Sequence, residues 1–232
     1  MGAAYEHWFH QLSGNIRVRQ NGKMADVPPL QEVVIDYPEI GPCVTYTVGH
    51  PEPLTLGLYH PSIHSSVNVM DFEASLIEMI RWIASQIDGK KMTVAEAAKY
   101  FMKIEHKSVP ALLFSRIGPA LFKGIWKQIR VRRKPLPLIF ALASGIKNNK
   151  PTRAAASLTT MPLGGMEMEN MGAATGVPLA VALALFAKGK IAQKGVFAPE
   201  GIIDPDDFFN ELAPLCTPDF KNAKELVSVK IV

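Results

Sequence analysis

His50 and Glu52 stand two residues apart in "TVGHPEPLTL", where Gly49, Pro51 and Pro53 crowd the end of a β-branched run. A backbone restrained in this way can aim polar side chains into a cleft. The imidazole of His50 could exchange protons near neutral pH, and the Glu52 carboxylate could hold a substrate ammonium group. His50 is the candidate catalytic residue and Glu52 a candidate substrate ligand. The plainer alternative is a solvated turn whose histidine satisfies nearby backbone groups.

Arg153 interrupts the small, apolar stretch "TRAAASLTT". Its planar guanidinium could grip a substrate carboxylate through two hydrogen bonds, or point to water if its neighbours face a sheet interior. Glu167, Glu169 and Asn170 open a Met-rich helical run that contains Thr175. Their charges suit the positive end of a helix dipole; with Thr175 they could also line a cleft at a domain junction. The candidate substrate-binding set is therefore Glu52, Arg153, Glu167, Asn170 and Thr175. His60 and His64 have a spacing that suits a metal only on a helix, and Pro61 argues against one, so no metal is expected. His106 and Lys107 could meet an anion, or simply complement a helix C-terminus.

Lys123, Lys127, Arg130, Arg132, Arg133 and Lys134 surround Trp126 and form the strongest charge feature. Such a segment could meet a nucleotide phosphate, a nucleic acid or an anionic membrane, or be a solvated face. Across 232 residues, 25 Lys and Arg against 21 Asp and Glu leave a net charge of +4. That balance is too mild for a general affinity for nucleic acid or membranes, so any basic site is local. A hydrophobic content of 48% supports one large domain or two small ones and excludes wholesale disorder. Cys43 and Cys216 form no CxxC pair, and "MGAAYEHWFHQL" has no apolar signal core. Both observations favour a reduced, cytoplasmic setting. Glu6 stands where a myristoylation motif needs Ser or Thr.

These residues require elements to place them. "NIRVR" and "MADV" read as strands joined at Asn21-Gly22, followed by strands at "EVVIDY" and "CVTYTV". Phe72, Leu76, Met79, Ile80, Ile83 and Ile87 recur at helical spacing, so a helix is expected to pack on the sheet. Thr93 and Glu96 predict a capping box for a second helix. A third helical segment, Val109 to Ile129, should kink near Pro119. "LPLIFALASGIK" and "TRAAASLTT" predict a hairpin across the Asn148-Asn149 turn.

Thr175 is expected to cap an apolar helix, with Pro178 in its first turn and Gly189 at its end. Its apolar run, Val177 to Ala187, is too short for the roughly 20 residues of a membrane span. All-round apolarity predicts burial within a domain or at a subunit contact. "GVFAP" then reads as a strand, and Asp204 as the cap of a last helix beginning at Pro205. The expected fold is a single α+β domain, 1–232, with a mixed, largely antiparallel sheet and helices on one face. Its regions are hairpins at 14–58, helices at 71–130 and a second sheet with helices at 135–232. No G-x-G-x-x-G turn, Walker A loop, HExxH, GxSxG or zinc-ligand set occurs.

The stretch "TGVPLAVALALFAKGKIAQKGVFAPEGIIDPDDFFNELAPL" resembles the carboxy-terminal region of saccharopine dehydrogenase-like oxidoreductases. The resemblance lies in the order Thr175, Gly176, Pro178, Ala180; then Gly189, Lys190, Ile191; then Gly195, Val196, Pro199, Glu200; then Phe208 and Leu212. "VVIDYPEIGPCVTYTVGHPEPLTL" looks like the strand-rich start of that family's substrate domain. The two stretches cover roughly a third of the chain. The resemblance implies a carboxy-terminal domain of the glyceraldehyde-3-phosphate or homoserine dehydrogenase type, without the Rossmann domain that normally precedes it. It further implies use of NAD or NADP, supplied with that domain in cis or in trans, hydride transfer at a C–N bond of an amino-acid-like substrate, and a homodimer. The alternatives are a non-catalytic binding or scaffold module, and a peripheral protein that binds anionic lipid through segment 121–134.

Overall fold

A computed structural model describes residues 2–104, 115–128, 135–159, 171–216 and 220–232, which gather into two compact units where the sequence suggests one domain. The first unit comprises residues 1–35 and 42–134, the second residues 36–41 and 135–232.

The first unit contains helices α1 (Gly2–Leu12), α2 (Glu52–Tyr59), α3 (Ala74–Asp88), α4 (Val94–Ile104) and α5 (Gly118–Gln128). Its strands β1 (Ile16–Gln20) and β2 (Lys23–Val27) form one sheet; β3 (Glu32–Tyr37), β4 (Gly41–Val48) and β5 (Asn68–Met70) form another in the order β3-β4-β5. Residues 36, 37 and 41 of these strands count with the second unit. As expected, the chain turns at Asn21 and Gly22, whose φ values of 50° and 76° suit the twist of the flanking strands.

α1 was not foreseen as a helix. Its Tyr5, Phe9 and Leu12 recur at helical spacing and are buried. Tyr5 and Phe9 join Met79 and Ile83 of α3, Ala97, Ala98, Phe101 and Ile104 of α4, and Ile117 and Leu121 in one core cluster. The next face of α3, Ile77, Ile80 and Ala84, packs with Tyr46 and Val48 of β4, which is the helix-on-sheet contact the periodicity predicts. α4 begins with the expected capping box. Glu96 N–H donates to Thr93 Oγ1 at 3.2 Å, and Thr93 N–H donates to Glu96 Oε2 at 2.8 Å. The Thr93 backbone N–H and hydroxyl, both donating to Glu96 Oε2, hold the exposed Glu96 carboxyl below its usual range. Pro119 falls in the first turn of α5, and residues 109–114 and 129 of the predicted third helix lie outside those described.

The second unit holds β6 (Phe140–Lys147), β7 (Lys150–Leu158) and β8 (Val227–Ile231) in the order β6-β7-β8, with antiparallel pairing at both contacts. Asn148 and Asn149 take φ of 51° and 60° in the predicted hairpin turn. Beyond the sheet come α6 (Met171–Ala187), α7 (Pro199–Ile202), α8 (Pro205–Leu212), a 3-10 turn (Ala213–Leu215) and α9 (Ala223–Leu226). Asp204 accepts from Asp207 N–H at 3.0 Å and caps α8 as expected.

Three expectations are corrected here. α6 already runs at Met171, so Thr175 is not its cap and Pro178 lies inside it. Ala173 and Ala174 favour the extra turn, while Pro178 removes one backbone donor. "GVFAP" forms no strand: Gly195 has φ of 143° and, among the described residues, nothing packs on the exposed Val196. In place of one mixed sheet, the described residues form three small antiparallel ones, with β5 pairing over only Asn68–Met70. The fold is mixed α and β.

α6 buries Val181 and Leu185 with Leu212 of α8 and Leu226 of α9, while Leu179, Leu183 and Phe186 are exposed. Gly189, at φ of 73°, ends the helix as expected. Lys188 Nζ reaches Glu211 Oε1 of α8 at 2.5 Å. Both cysteines are buried thiols, and burial pushes the Cys216 thiol up. Among the described residues, no helix is long and apolar enough to cross a membrane.

Candidate functional site

The chain leaves β4 at Val48 and passes a tight point at Gly49. Gly49 N–H donates to Gln11 O at 2.8 Å, and a Cβ on Gly49 would lie 2.7 Å from Ile16 Cγ2. Only glycine passes there without displacing a neighbour. Pro51 then occupies the N-cap position of α2, with Pro53 buried in its first turn. The prolines set φ before the helix forms, and Glu52 lies at the helix N-terminus, where a carboxylate is favoured. The turn expected around His50 is therefore a helix start.

His50 Nδ1 hydrogen-bonds to Glu52 Oε2. The same oxygen accepts from Asn68 Nδ2 at 2.8 Å. Strand register supplies this third member, because β4 and β5 pair Val48 with Asn68. The two ring-and-carboxylate side chains are 39% and 44% exposed, so solvent or a small ligand can reach them.

The hydrogen bond to Glu52, helped by its charge, raises the His50 pKa against the opposing effect of partial burial. For Glu52, partial burial pushes the carboxyl up, but hydrogen bonds from His50, its own backbone and Asn68, with the His50 charge, outweigh it and leave the group below its usual value. An ionised Glu52 that accepts the hydrogen bond from Nδ1–H leaves Nε2 as the nitrogen that gives or accepts a proton.

The stabilisation linked to His50 is complete below its unfolded pKa and is lost as pH rises through the raised folded value. The corresponding Glu52 contribution is present above its unfolded pKa and is lost as pH falls through the depressed folded value. Glu52→Gln should therefore lower the His50 titration midpoint, measured by NMR of the imidazole Cε1–H signal. A midpoint unchanged from wild type would exclude the pairing.

Arg153, on β7, donates from Nη1 to Asp36 Oδ2 at 2.6 Å and to Asp36 O at 3.1 Å. Its guanidinium is thus engaged within its own unit. Thr175 sits in the second turn of α6. Glu167 and Asn170, together with Glu169, His106 and Lys107, lie outside the described residues. His60 ends α2 and His64 lies beyond it, so the two share no helix. Among the described residues no group of three or more His, Cys, Asp or Glu side chains could hold a metal ion.

In the basic segment, Lys123 Nζ binds the buried Glu78 Oε2 at 3.0 Å, and the exposed Phe122 stacks on Trp126 with ring centroids 6.4 Å apart. Arg130, Arg132, Arg133 and Lys134 lie outside the described residues.

The sequence singles out His50 and Glu52 without foreseeing the hydrogen bond between them, and it passes over Asn68. Asn68 is 16 residues from Glu52 and carries no local motif. Only strand register could have found it. Compared with protein-family models and with curated proteins, the chain finds no match in either.

Proposed function

We propose that this chain is the substrate-binding and dimerisation part of a saccharopine dehydrogenase-like oxidoreductase acting on the C–N bond of an amino-acid-like substrate. The reaction class comes from the ordered resemblance in Thr175 to Leu212. The observation that carries the chemistry is the half-exposed His50–Glu52 pair. Oxidation at a C–N bond requires the substrate nitrogen to shed a proton, and reduction requires one to be returned. His50 performs that exchange through Nε2 while Glu52 holds Nδ1–H. Glu52 serves the histidine in this reading rather than the substrate ammonium group.

NAD or NADP enters through the resemblance, and when bound it accepts or supplies hydride. A dinucleotide cradle is built on parallel strands, whereas the strand registers described are antiparallel. The described residues do not fit the cofactor, and it is assigned to a Rossmann domain in cis or in trans.

The test is NAD(P)H turnover by this chain together with its dinucleotide-binding partner. His50→Gln should lower kcat about a hundredfold and flatten the limb of the pH–rate profile that His50 controls, with a smaller change in KM. Wild-type turnover and an unchanged profile in His50→Gln would defeat the catalytic reading. A strictly monomeric mass by light scattering would defeat the dimerisation half.

A further inference from the structure

We propose that Asn68 is a positioning residue: its side-chain amide fixes Glu52 Oε2, so that the carboxylate accepts the Nδ1–H hydrogen bond of His50 and Nε2 is left to exchange protons with a substrate. The inference rests on the acid–base reading of His50 above, and deepens it.

The donors converge on one atom. Glu52 Oε2 receives both His50 Nδ1 and Asn68 Nδ2, the latter at 2.8 Å. An ionised carboxylate can only accept, so the amide must present its nitrogen to Glu52 and its oxygen elsewhere. The orientation of Asn68 is dictated by this chemistry and does not depend on how the amide is drawn.

The two sides of the contact are held differently. Asn68 belongs to β5 and faces Val48 of β4 in the antiparallel register, with Thr47 and Tyr46 paired to Val69 and Met70 beyond it. Its backbone is therefore set by a sheet. Glu52 is the first residue of α2, on a side chain with three rotatable bonds. One hydrogen bond from a histidine two residues away leaves such a carboxylate several rotamers, because both partners can swing together. A second bond from a neighbouring strand removes that freedom.

The chemistry of the residue type also matters. Asparagine donates without adding charge, so it orients Glu52 while leaving the carboxylate's charge available to the imidazole. A lysine or arginine there would neutralise Glu52 and compete with His50. Arg19 of β1 is the cation packed against α2, where a Cβ on Gly57 would meet its side chain, but its Nε donates to Ile63 O at 2.7 Å. Asn68 is the neutral donor that reaches the carboxylate.

The experiment is two-dimensional 15N NMR of the histidine ring nitrogens in the full chain, with the His50 signals assigned by their loss in His50→Gln. Wild type should show one dominant tautomer, protonated at Nδ1, in the neutral state. Asn68→Ala should mix the tautomers and lower the His50 midpoint by about half a pH unit, the scale of one modest hydrogen bond. Asn68→Asp keeps the shape and deletes the donor, so it should disturb the tautomer ratio even if the alanine variant fails to fold.

In a Glu52→Gln background the alanine substitution should change neither quantity further, because Asn68 acts through Glu52. Wild-type tautomer ratios in either Asn68 variant would overturn the proposal. The outcome is separable from the functional reading: activity retained by His50→Gln defeats the oxidoreductase chemistry, whereas unaltered His50 spectra defeat the positioning role alone.

Discussion

Phe9→Ala should destabilise the first unit by about 3–5 kcal/mol, the range for truncating a fully buried aromatic side chain. Phe9 is 0% exposed at the centre of the cluster that joins α1, α3 and α4. Its ring meets Phe101 edge-on at 5.8 Å between centroids and lies 5.7 Å from Trp8. Removing it forfeits the transfer free energy of the ring and these aromatic contacts, and opens a cavity among side chains that belong to separate helices. Trp8, Trp82 and Trp126 all fall in this unit, so tryptophan fluorescence during urea unfolding reports on it. The expected result is a lower urea midpoint with the slope preserved. A loss below about 1 kcal/mol would mean that α1 is a loosely docked arm and that the core is complete without it.

The same helix shows where sequence reading stops. Periodicity found α3 because five apolar residues from Leu76 to Ile87 mark it, and the Thr93–Glu96 box placed α4 through a local pair of hydrogen bonds. Both signals are carried by neighbours three or four residues apart. α1 carries the same kind of stripe in Tyr5, Phe9 and Leu12, but the polar residues between them disguise it. At the site, Gly49, His50, Pro51 and Glu52 are consecutive, so their proximity could be read directly. Asn68 could not, because its place depends on β4 pairing with β5 across an intervening helix.

The errors have the same physical origin. Thr175 and Pro178 carry the local chemistry of a helix start, yet helix-favouring residues upstream extend α6 past them. "GVFAP" has strand-like composition, but a strand also needs a partner, and the described residues offer Val196 none. Arg153 was read only as addressing a substrate or water; its tertiary pairing with Asp36, 117 residues away, carries no local signal. Composition fixes what each segment can do locally, and long-range pairing selects among those options.

Gly124→Ala tests the closest approach in the helical core and should cost about 3 kcal/mol, at the upper end for overpacking. In a solvent-exposed helix the same change would stabilise by about 1 kcal/mol, because alanine is the better helix former. Gly124 lies in α5 against the start of α3. An added Cβ would sit 2.4 Å from the Ala74 carbonyl oxygen and 2.4 Å from Ser75 Cα. Both are backbone atoms, so no side chain can rotate away; one helix must move.

Displacement also reaches the neighbouring ion pairs. Lys123, next to Gly124, holds Glu78 at 3.0 Å, and Arg81 approaches the same carboxylate at 3.6 Å. Glu78 is only 6% exposed, so separating it from Lys123 leaves a buried charge less well compensated. Gly176→Ala in α6 is the control, since no described residue lies within 4 Å of its added Cβ. Thermal unfolding should rank Gly176→Ala at or above wild type and Gly124→Ala well below it. If both variants rise together, the α3–α5 approach is looser than the structure has it, and helix propensity alone governs position 124.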